Sequence, residues 1–177
     1  MTRSPMFESL EVHDRIVVTG PQRSGTTIVG QIIANDTGHR CVDELFYGIY
    51  SVSEWRRVLE GHRVVVQCPH MLKVIIDSPP PDAFVVLVRR SMHEIHASER
   101  RIGWEATMQG NSKELAPFSL SQGDSAQIKY DYWDTHAKDF PYLEVGYDTI
   151  SSHPMFVDSD QRRTFHAKQT KIKPEVI

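Results

Sequence analysis

The stretch Arg15-Ile-Val-Val-Thr-Gly20-Pro-Gln-Arg-Ser-Gly25-Thr-Thr27 decides the fold of this chain of 177 residues. Its β-branched beginning predicts a buried strand that ends at Gly20. From Thr26 to Ala34, apolar residues recur at helical spacing, which predicts a helix that ends near Gly38. The sequence therefore places a glycine-bearing loop directly between a strand and a helix.

Strands and helices alternate along the rest of the chain. Further strands are predicted at 39–43, 63–67, 83–88 and 142–147, and further helices at 92–101 and 123–140, as well as from a cap at Ser53 to Leu59. In the helix at 123–140 we expect Ile128, Tyr132 and Trp133 to face inward. This alternation predicts a three-layer α/β/α fold around a central, mostly parallel sheet of about four to five strands.

Composition is that of one compact domain, which we assign to residues 1–177. Hydrophobic residues make up 40% and charged residues 24%, the formal net charge is −3, and the pI is near 6.3. This balance gives no reason to expect a nucleic acid or membrane partner. The N-terminus lacks an apolar run of signal-peptide length, so we expect a cytoplasmic protein. Two cysteines, Cys41 and Cys68, are too few for a disulfide scaffold or a four-ligand zinc site.

The loop has the glycine spacing of a phosphate-binding loop without its lysine. Gly20 and Gly25 are placed as in G-x-x-x-x-G-K-[ST], but Thr26 stands where the lysine would be. Arg23 supplies positive charge inside the loop, and the hydroxyls of Ser24, Thr26 and Thr27 can bind phosphate oxygens. The helix N-terminus adds unpaired N–H groups and a positive dipole end. The pattern predicts a P-loop NTPase-like fold that binds an anion here.

Arg23-Ser-Gly-Thr-Thr27 closely resembles the 5′-phosphosulfate loop of the PAPS-dependent sulfotransferases. It is nearest to the Pro-Arg-Ser-Gly-Thr-Thr form seen in tyrosylprotein sulfotransferases, although Gln22 here separates Pro21 from Arg23. The resemblance implies that PAPS, or its product PAP, is bound without a metal ion by Gln22, Arg23, Ser24, Gly25, Thr26 and Thr27.

A second motif extends the resemblance. In the same family an arginine at a strand end and a serine eight residues later hold the 3′-phosphate of the donor, and Arg90 and Ser98 fit this spacing. Two helical turns allow both side chains to face one phosphate. Arg89 could take the place of Arg90 if the register differs by one.

Weaker similarities cover most of the remaining chain. Trp133 and the stretch 142–148 look like the family's helix and last strand. The basic segment 158–177 lies where family members close over the nucleotide, and Lys168 is our candidate there. Residues 103–122 have no clear period and are a candidate for a mobile lid over the site.

Two residues are candidates for the catalytic base, and Arg23 is the candidate for stabilising charge on the transferring group. Arg40-Cys-Val-Asp-Glu44 resembles the Arg-Cys-Gly-Glu-Glu stretch of tyrosylprotein sulfotransferases, whose second glutamate is the base. His70 resembles the histidine that follows Lys-Thr in cytosolic sulfotransferases, although Cys68 and Pro69 precede it here. We favour Glu44 over His70, and its alternative is a structural glutamate at a helix N-terminus.

The resemblance implies sulfuryl transfer from PAPS to a hydroxyl or amine of a small-molecule or peptide acceptor. One alternative is a small-molecule or nucleotide kinase, which would need Mg²⁺ and a carboxylate to hold it, whereas the strand before Pro69 ends in Gln67 and Cys68. Another is a nucleotide-binding protein without turnover. Four aromatic residues are candidates for an acceptor pocket or for the core: Tyr47, Tyr50, Trp55 and Trp104.

Overall fold

The centre of the protein is a five-stranded parallel sheet. The computed structural model describes residues 5–49, 51–101, 125–137 and 140–156. The strand order is β2-β3-β1-β4-β5, and every neighbouring pair is parallel. The strands are β1 (Arg15–Thr19), β2 (Arg40–Asp43), β3 (Val64–Gln67), β4 (Phe84–Arg89) and β5 (Tyr142–Gly146). The prediction of a parallel α/β sheet is confirmed.

Helices connect the strands and cover both faces of the sheet. They are α1 (Thr26–Thr37), α2 (Glu44–Tyr47), α3 (Val52–Val58), α4 (Leu72–Asp77), α5 (Met92–Arg101) and α6 (Ser125–His136), with 3-10 turns at Glu8–Val12, Pro69–Met71 and Tyr147–Ser152. None of the helices in the described ranges is long and apolar enough to cross a bilayer.

Alternate residues of each strand face opposite layers, which explains why the strands are apolar throughout. Val17 and Leu87 point into a core closed by α3, α4, α5 and α6, where Trp55 and Trp133 are buried. Val18 and Val86 point into a second core closed by α1 and by the 3-10 turns at Glu8–Val12 and Tyr147–Ser152. The three-layer α/β/α arrangement follows, with the central strand β1 buried on both faces.

Helix α6 is rotated relative to the expectation from its sequence. Trp133 is buried as expected, but Ile128 is 44% exposed and Tyr132 is only half-buried. Residues of the buried face recur at the helical spacing of three and four: Ala126, Lys129, Tyr130, Trp133 and Ala137. The large aromatic side chains set the rotation, and the inward position of Ile128 was a wrong prediction.

The cap of α3 also differs from the expectation. The N-cap is Ser51, whose Oγ accepts a hydrogen bond of 3.2 Å from the backbone N–H of Glu54. Ser53 lies inside the first turn, so the predicted cap was two residues too late. Ser51 is followed three residues later by Glu54, the spacing of a capping box.

Two isoleucines on helices at opposite faces of the sheet, one buried and one exposed, allow a matched test of core packing. Replacing the fully buried Ile33 with alanine leaves a cavity beside the sheet, so Ile33→Ala is expected to lower the free energy of unfolding by about 2–5 kcal/mol. Ile128→Ala, at a position 44% exposed, should change it by less than about 0.5 kcal/mol. Urea unfolding followed by circular dichroism measures both, and equal losses would contradict the rotation of α6.

Candidate functional site

The loop between β1 and α1 folds back sharply through residues in the left-handed region. Gly20, Arg23 and Gly25 have φ values of 151°, 66° and 103°. A Cβ atom on Gly25 would lie 2.4 Å from Cδ2 of Tyr147, so no larger residue fits there. Arg23 adopts a conformation that costs energy for a residue with a side chain, which requires its surroundings to hold it.

The side chain of Arg23 is held by α5. Its Nε and Nη2 atoms donate hydrogen bonds of 3.1 and 2.9 Å to Oγ of Ser98. Ser98 is 2% exposed and also accepts a longer hydrogen bond of 3.4 Å from Arg101. The structure thus joins the loop to the serine of the second sequence motif.

Arg90 reaches the same loop from the end of β4. Its Nη1 donates a hydrogen bond of 3.2 Å to the carbonyl of Arg23, and its guanidinium carbon lies 3.8 Å from the ring centroid of Tyr147. The hydroxyl of Tyr130 accepts from the backbone N–H of Arg90 and donates to its carbonyl. These contacts fix the direction of Arg90.

The register alternative, Arg89, points elsewhere. Its guanidinium pairs with Glu144 at 2.8 Å and with Asp134 at 2.5 Å, and it stacks over the rings of Tyr130 and Trp133. Two carboxylates neutralise this arginine at the far side of β4. Arg90 is therefore the arginine that lies at the phosphate loop.

Buried polar atoms around the loop lack hydrogen-bond partners within the described part of the chain. They include Nε2 of Gln22, Oγ of Ser24 and Nε of Arg90. Buried polar groups are nearly always paired in folded proteins, and unpaired ones cost about 1–3 kcal/mol each. Two of these atoms lie in the loop before α1 and the third lies at the end of β4, whose Arg90 contacts the loop, and an anion could pair with such groups.

The two threonines of the loop differ in their contacts. Oγ1 of Thr26 accepts a hydrogen bond of 2.8 Å from Nε2 of Gln67 in β3, and Thr26 is buried. Oγ1 of Thr27 lies 3.5 Å from Oδ2 of Asp43 at the end of β2. The end of β3 carries no carboxylate. The neighbouring strand β2 supplies one, Asp43, beside the loop.

The two candidate bases, Glu44 and His70, lie against each other. Oε2 of Glu44 accepts a hydrogen bond of 3.0 Å from the backbone N–H of His70, and Oε1 lies 2.7 Å from His70 Nδ1. The second contact has the distance of an ion pair, but Nδ1 makes no hydrogen bond within the described part of the chain. Glu44 is 2% and His70 8% exposed, so the pair is almost wholly withdrawn from water.

Glu44 is also the first residue of α2, as its structural alternative requires. Asp43 precedes it as N-cap and accepts hydrogen bonds from the N–H groups of Leu45 and Phe46. Because Asp43 does the capping, both oxygens of Glu44 are left to hold His70. The position at the helix start and the contact with the histidine therefore coexist.

The cysteines are poor nucleophiles. Burial raises the pKa of the Cys41 thiol to about 12, with a smaller effect from the charge of Asp43. Burial and the neighbouring Glu44 raise the pKa of Cys68 as well. Neither thiol is ionised near neutral pH, so thiolate chemistry at these two positions is excluded.

Sequence reasoning missed Lys129, which α6 carries into the site. Lys129 is fully buried, and its Nζ donates a hydrogen bond to Oε1 of Gln22 in the loop. Burial lowers its pKa to about 7, against the opposing effect of the charges of Glu44 and Glu99. The signal was present in the sequence, because Lys129 lies four residues before Trp133 on the face that Trp133 buries.

Several sequence candidates lie outside the described residues or away from the loop. Lys168, Tyr50, Trp104 and the segments 103–122 and 158–177 fall outside the described ranges. Trp55 is 2% exposed and belongs to the core, as its alternative interpretation expected. Tyr47 is 40% exposed at the end of α2.

Comparisons with known proteins give similarity of fold. No protein-family model and no curated protein matches the sequence. A shikimate kinase from Acinetobacter baumannii in complex with shikimate is similar in structure, with a TM-score of 0.47, 12% identity, and coverage of 94% of this chain and 99% of that chain. The YorR protein from Bacillus subtilis in complex with phosphorylated GDP has a TM-score of 0.44, 10% identity, and coverage of 88% and 96%. Neither is described as a sulfotransferase, and the similarity does not determine the group transferred.

The buried lysine predicts how stability depends on pH. Between about pH 7, the pKa of Lys129 in the folded protein, and 10.5, the ordinary pKa of a lysine, Lys129 binds a proton in the unfolded chain but not in the folded protein. The free energy of unfolding should therefore rise with pH in this window, by up to about 1.4 kcal/mol per unit from this group. Urea unfolding from pH 7 to 9 should show that Lys129→Met removes this rise.

Lys73→Met is the matched control for this experiment. Lys73 pairs with Asp77 on α4, and this hydrogen bond raises its pKa above the usual value. Its contribution is constant below pH 9 and is lost only at higher pH. A pH slope that persists in Lys129→Met would contradict the lowered pKa of Lys129.

Proposed function

We propose that the protein transfers a sulfuryl group from PAPS to a hydroxyl or amine acceptor. The contact between Arg23 and Ser98 carries this proposal. The two sequence motifs that resemble sulfotransferases bind opposite ends of one donor in that family, and here they touch each other. Arg90 is bound to the carbonyl of Arg23, which keeps the second motif within reach of the first.

In this proposal the loop and the start of α1 receive the 5′-phosphosulfate. The positive helix end and the unpaired Ser24 hydroxyl and Gln22 amide bind its oxygens. Arg23 leaves its contact with Ser98 for the sulfuryl group or the bridging oxygen, where negative charge develops. Ser98 and Arg90 then face the 3′-phosphate.

The chemical step is an in-line displacement. The acceptor oxygen forms a bond to sulfur while the bond from sulfur to the bridging phosphate oxygen breaks, so that PAP leaves with the electron pair. The acceptor proton passes to the Glu44–His70 pair. Oε2 of Glu44 holds the backbone N–H of His70 and Oε1 lies beside its ring, so the carboxylate sets the position of the histidine and the two act together.

A P-loop kinase is the second candidate function, and the pair of Thr27 and Asp43 favours it. A threonine hydroxyl and a carboxylate 3.5 Å apart at the loop could hold Mg²⁺ beside a nucleoside triphosphate. Among the described residues, however, no group of three His, Cys, Asp or Glu side chains is arranged as a metal site. In this alternative Mg²⁺ would be required for nucleotide binding.

Donor binding separates the two candidates. In calorimetry without magnesium, PAP should bind the wild-type protein, and Arg23→Ala and Arg90→Ala should each weaken binding by about 10- to 100-fold because a charged hydrogen bond is lost. Arg57→Ala, at an exposed position on α3, is the matched control and should bind normally. Binding of ATP that requires magnesium and is lost in Asp43→Asn, with PAP ignored, would support the kinase instead.

Turnover tests the base. With an acceptor found by screening against PAPS, Glu44→Gln and His70→Asn should each lower kcat by about 10²- to 10⁴-fold. Because the two residues act as a unit, the double variant should be little worse than either single one. Glu60→Gln, at an exposed position after α3, is the control for carboxylate loss. Losses that multiply in the double variant, or a large loss of PAP affinity, would contradict this role.

A further inference from the structure

The loop has no cation at the place where a phosphate loop normally carries one. Thr26 occupies that place, and its Oγ1 is turned to Gln67 of β3. Arg23, three residues before Thr26, is bound to Ser98. A cation near the place of the missing lysine, in addition to Arg23, therefore comes from another element.

Lys129 supplies that charge from α6. Its ammonium donates to Oε1 of Gln22, while Nε2 of the same amide is buried without a partner. One end of the Gln22 amide is thus held by the lysine and the other is left for a ligand. Tyr130, the next residue of α6, fixes Arg90 through its hydroxyl. A single turn of α6 therefore fixes both the loop and the strand end beside it.

Burying Lys129 costs free energy of folding, and side-chain packing gives no reason for a lysine at this position. Lys129 lies on the face of α6 that buries Tyr130 and Trp133, where an apolar residue would be more stable. A group kept in such a place, with its pKa lowered to about 7, is characteristic of functional sites. Within the described ranges, its electrostatic surroundings include Glu44 and Glu99, which act on it directly, and three groups that act on those carboxylates: His70, Arg23 and His96.

We propose that Lys129 is the positioning cation of the phosphate loop and that it takes up a proton when a phosphate or sulfate group binds there. This inference rests on the proposed function only in requiring an anionic donor at the loop. An anion beside a buried amine favours the charged amine, so binding and protonation support each other. The protonated lysine then holds the Gln22 amide toward the bound oxygens.

The sign of the pH effect follows from linkage. Below pH 7 Lys129 already carries its proton, and binding takes up none from this group. Above pH 7 the free protein has lost that proton and the complex regains it, so affinity for the anion falls as pH rises, by up to about tenfold per unit. A lysine that only packed the helix would give no such dependence.

The direct test is the titration of Lys129 by nuclear magnetic resonance. In protein labelled with ¹³C at lysine, the ε-carbon signal that Lys129→Met removes is followed from pH 5.5 to 9.5. Its midpoint should lie at about 7 in the free protein and rise by roughly one unit or more with sulfate or PAP. Sulfate keeps its charge throughout this range, so any proton taken up goes to the protein. Lys73, in the same sample, is the internal control and should not titrate.

The outcomes separate this inference from the proposed function. A Lys129 midpoint that neither sulfate nor PAP moves, or one near 10 in the free protein, overturns the inference. A midpoint moved by sulfate, together with PAP that does not bind in calorimetry, supports the inference and rejects PAPS as the donor. PAP that binds in calorimetry without moving the midpoint overturns the inference and leaves the proposed function standing.

Discussion

Parallel pairing on both sides of β1 is the constraint on which the site depends. β1 is hydrogen-bonded to β3 on one side and to β4 on the other, so the carboxyl ends of all three strands meet at one edge of the sheet. The phosphate loop leaves β1 at this edge, His70 follows β3, and Arg90 follows β4. Since strand ends are rigid, these groups are held in place by the sheet and not by the loop alone.

Charge is balanced within the buried part of the site. Arg23, Arg90 and Lys129 are set against Glu44 and Glu99, and each cation contacts the loop or lies beside it. Because the carboxylates partly neutralise the cations, these charges can be buried close together, at the cost of unpaired atoms and a lysine that is easily deprotonated. An anionic donor would relieve both.

The strands and the loop could be predicted from the sequence because runs of apolar β-branched residues and the spacing of glycines are local features. Apolar strands ended within a residue of their predicted bounds, and the contact of Arg23 with Ser98 joins two motifs that the sequence analysis had linked to one donor. Local sequence rules did not reveal that α6 contributes Lys129 and Tyr130 to the site. Its rotation depends on packing against α4 and α5. Trp133 was correctly expected to face inward, but Ile128 was wrongly placed on the same face, so Lys129, four residues before Trp133, was missed.

The contact between Asp43 and Thr27 was missed for a similar reason. In the sequence, a carboxylate for Mg²⁺ was expected at the end of β3, whereas the sheet order places β2 next to β3 and brings Asp43 to Thr27. Spatial neighbours in a parallel sheet are not neighbours in sequence. Sheet order is fixed by long-range pairing, which local patterns do not encode.

The contact between Gln22 and Lys129 spans 107 residues of the chain. During synthesis, the first two strands and α1 leave the ribosome long before α6 does, and in that interval the loop has neither its lysine nor the tyrosine that fixes Arg90. The emerging chain therefore cannot present a finished anion site. The contacts of the proposed anion site are therefore completed late in folding, after the helix that carries Lys129 has docked on the sheet.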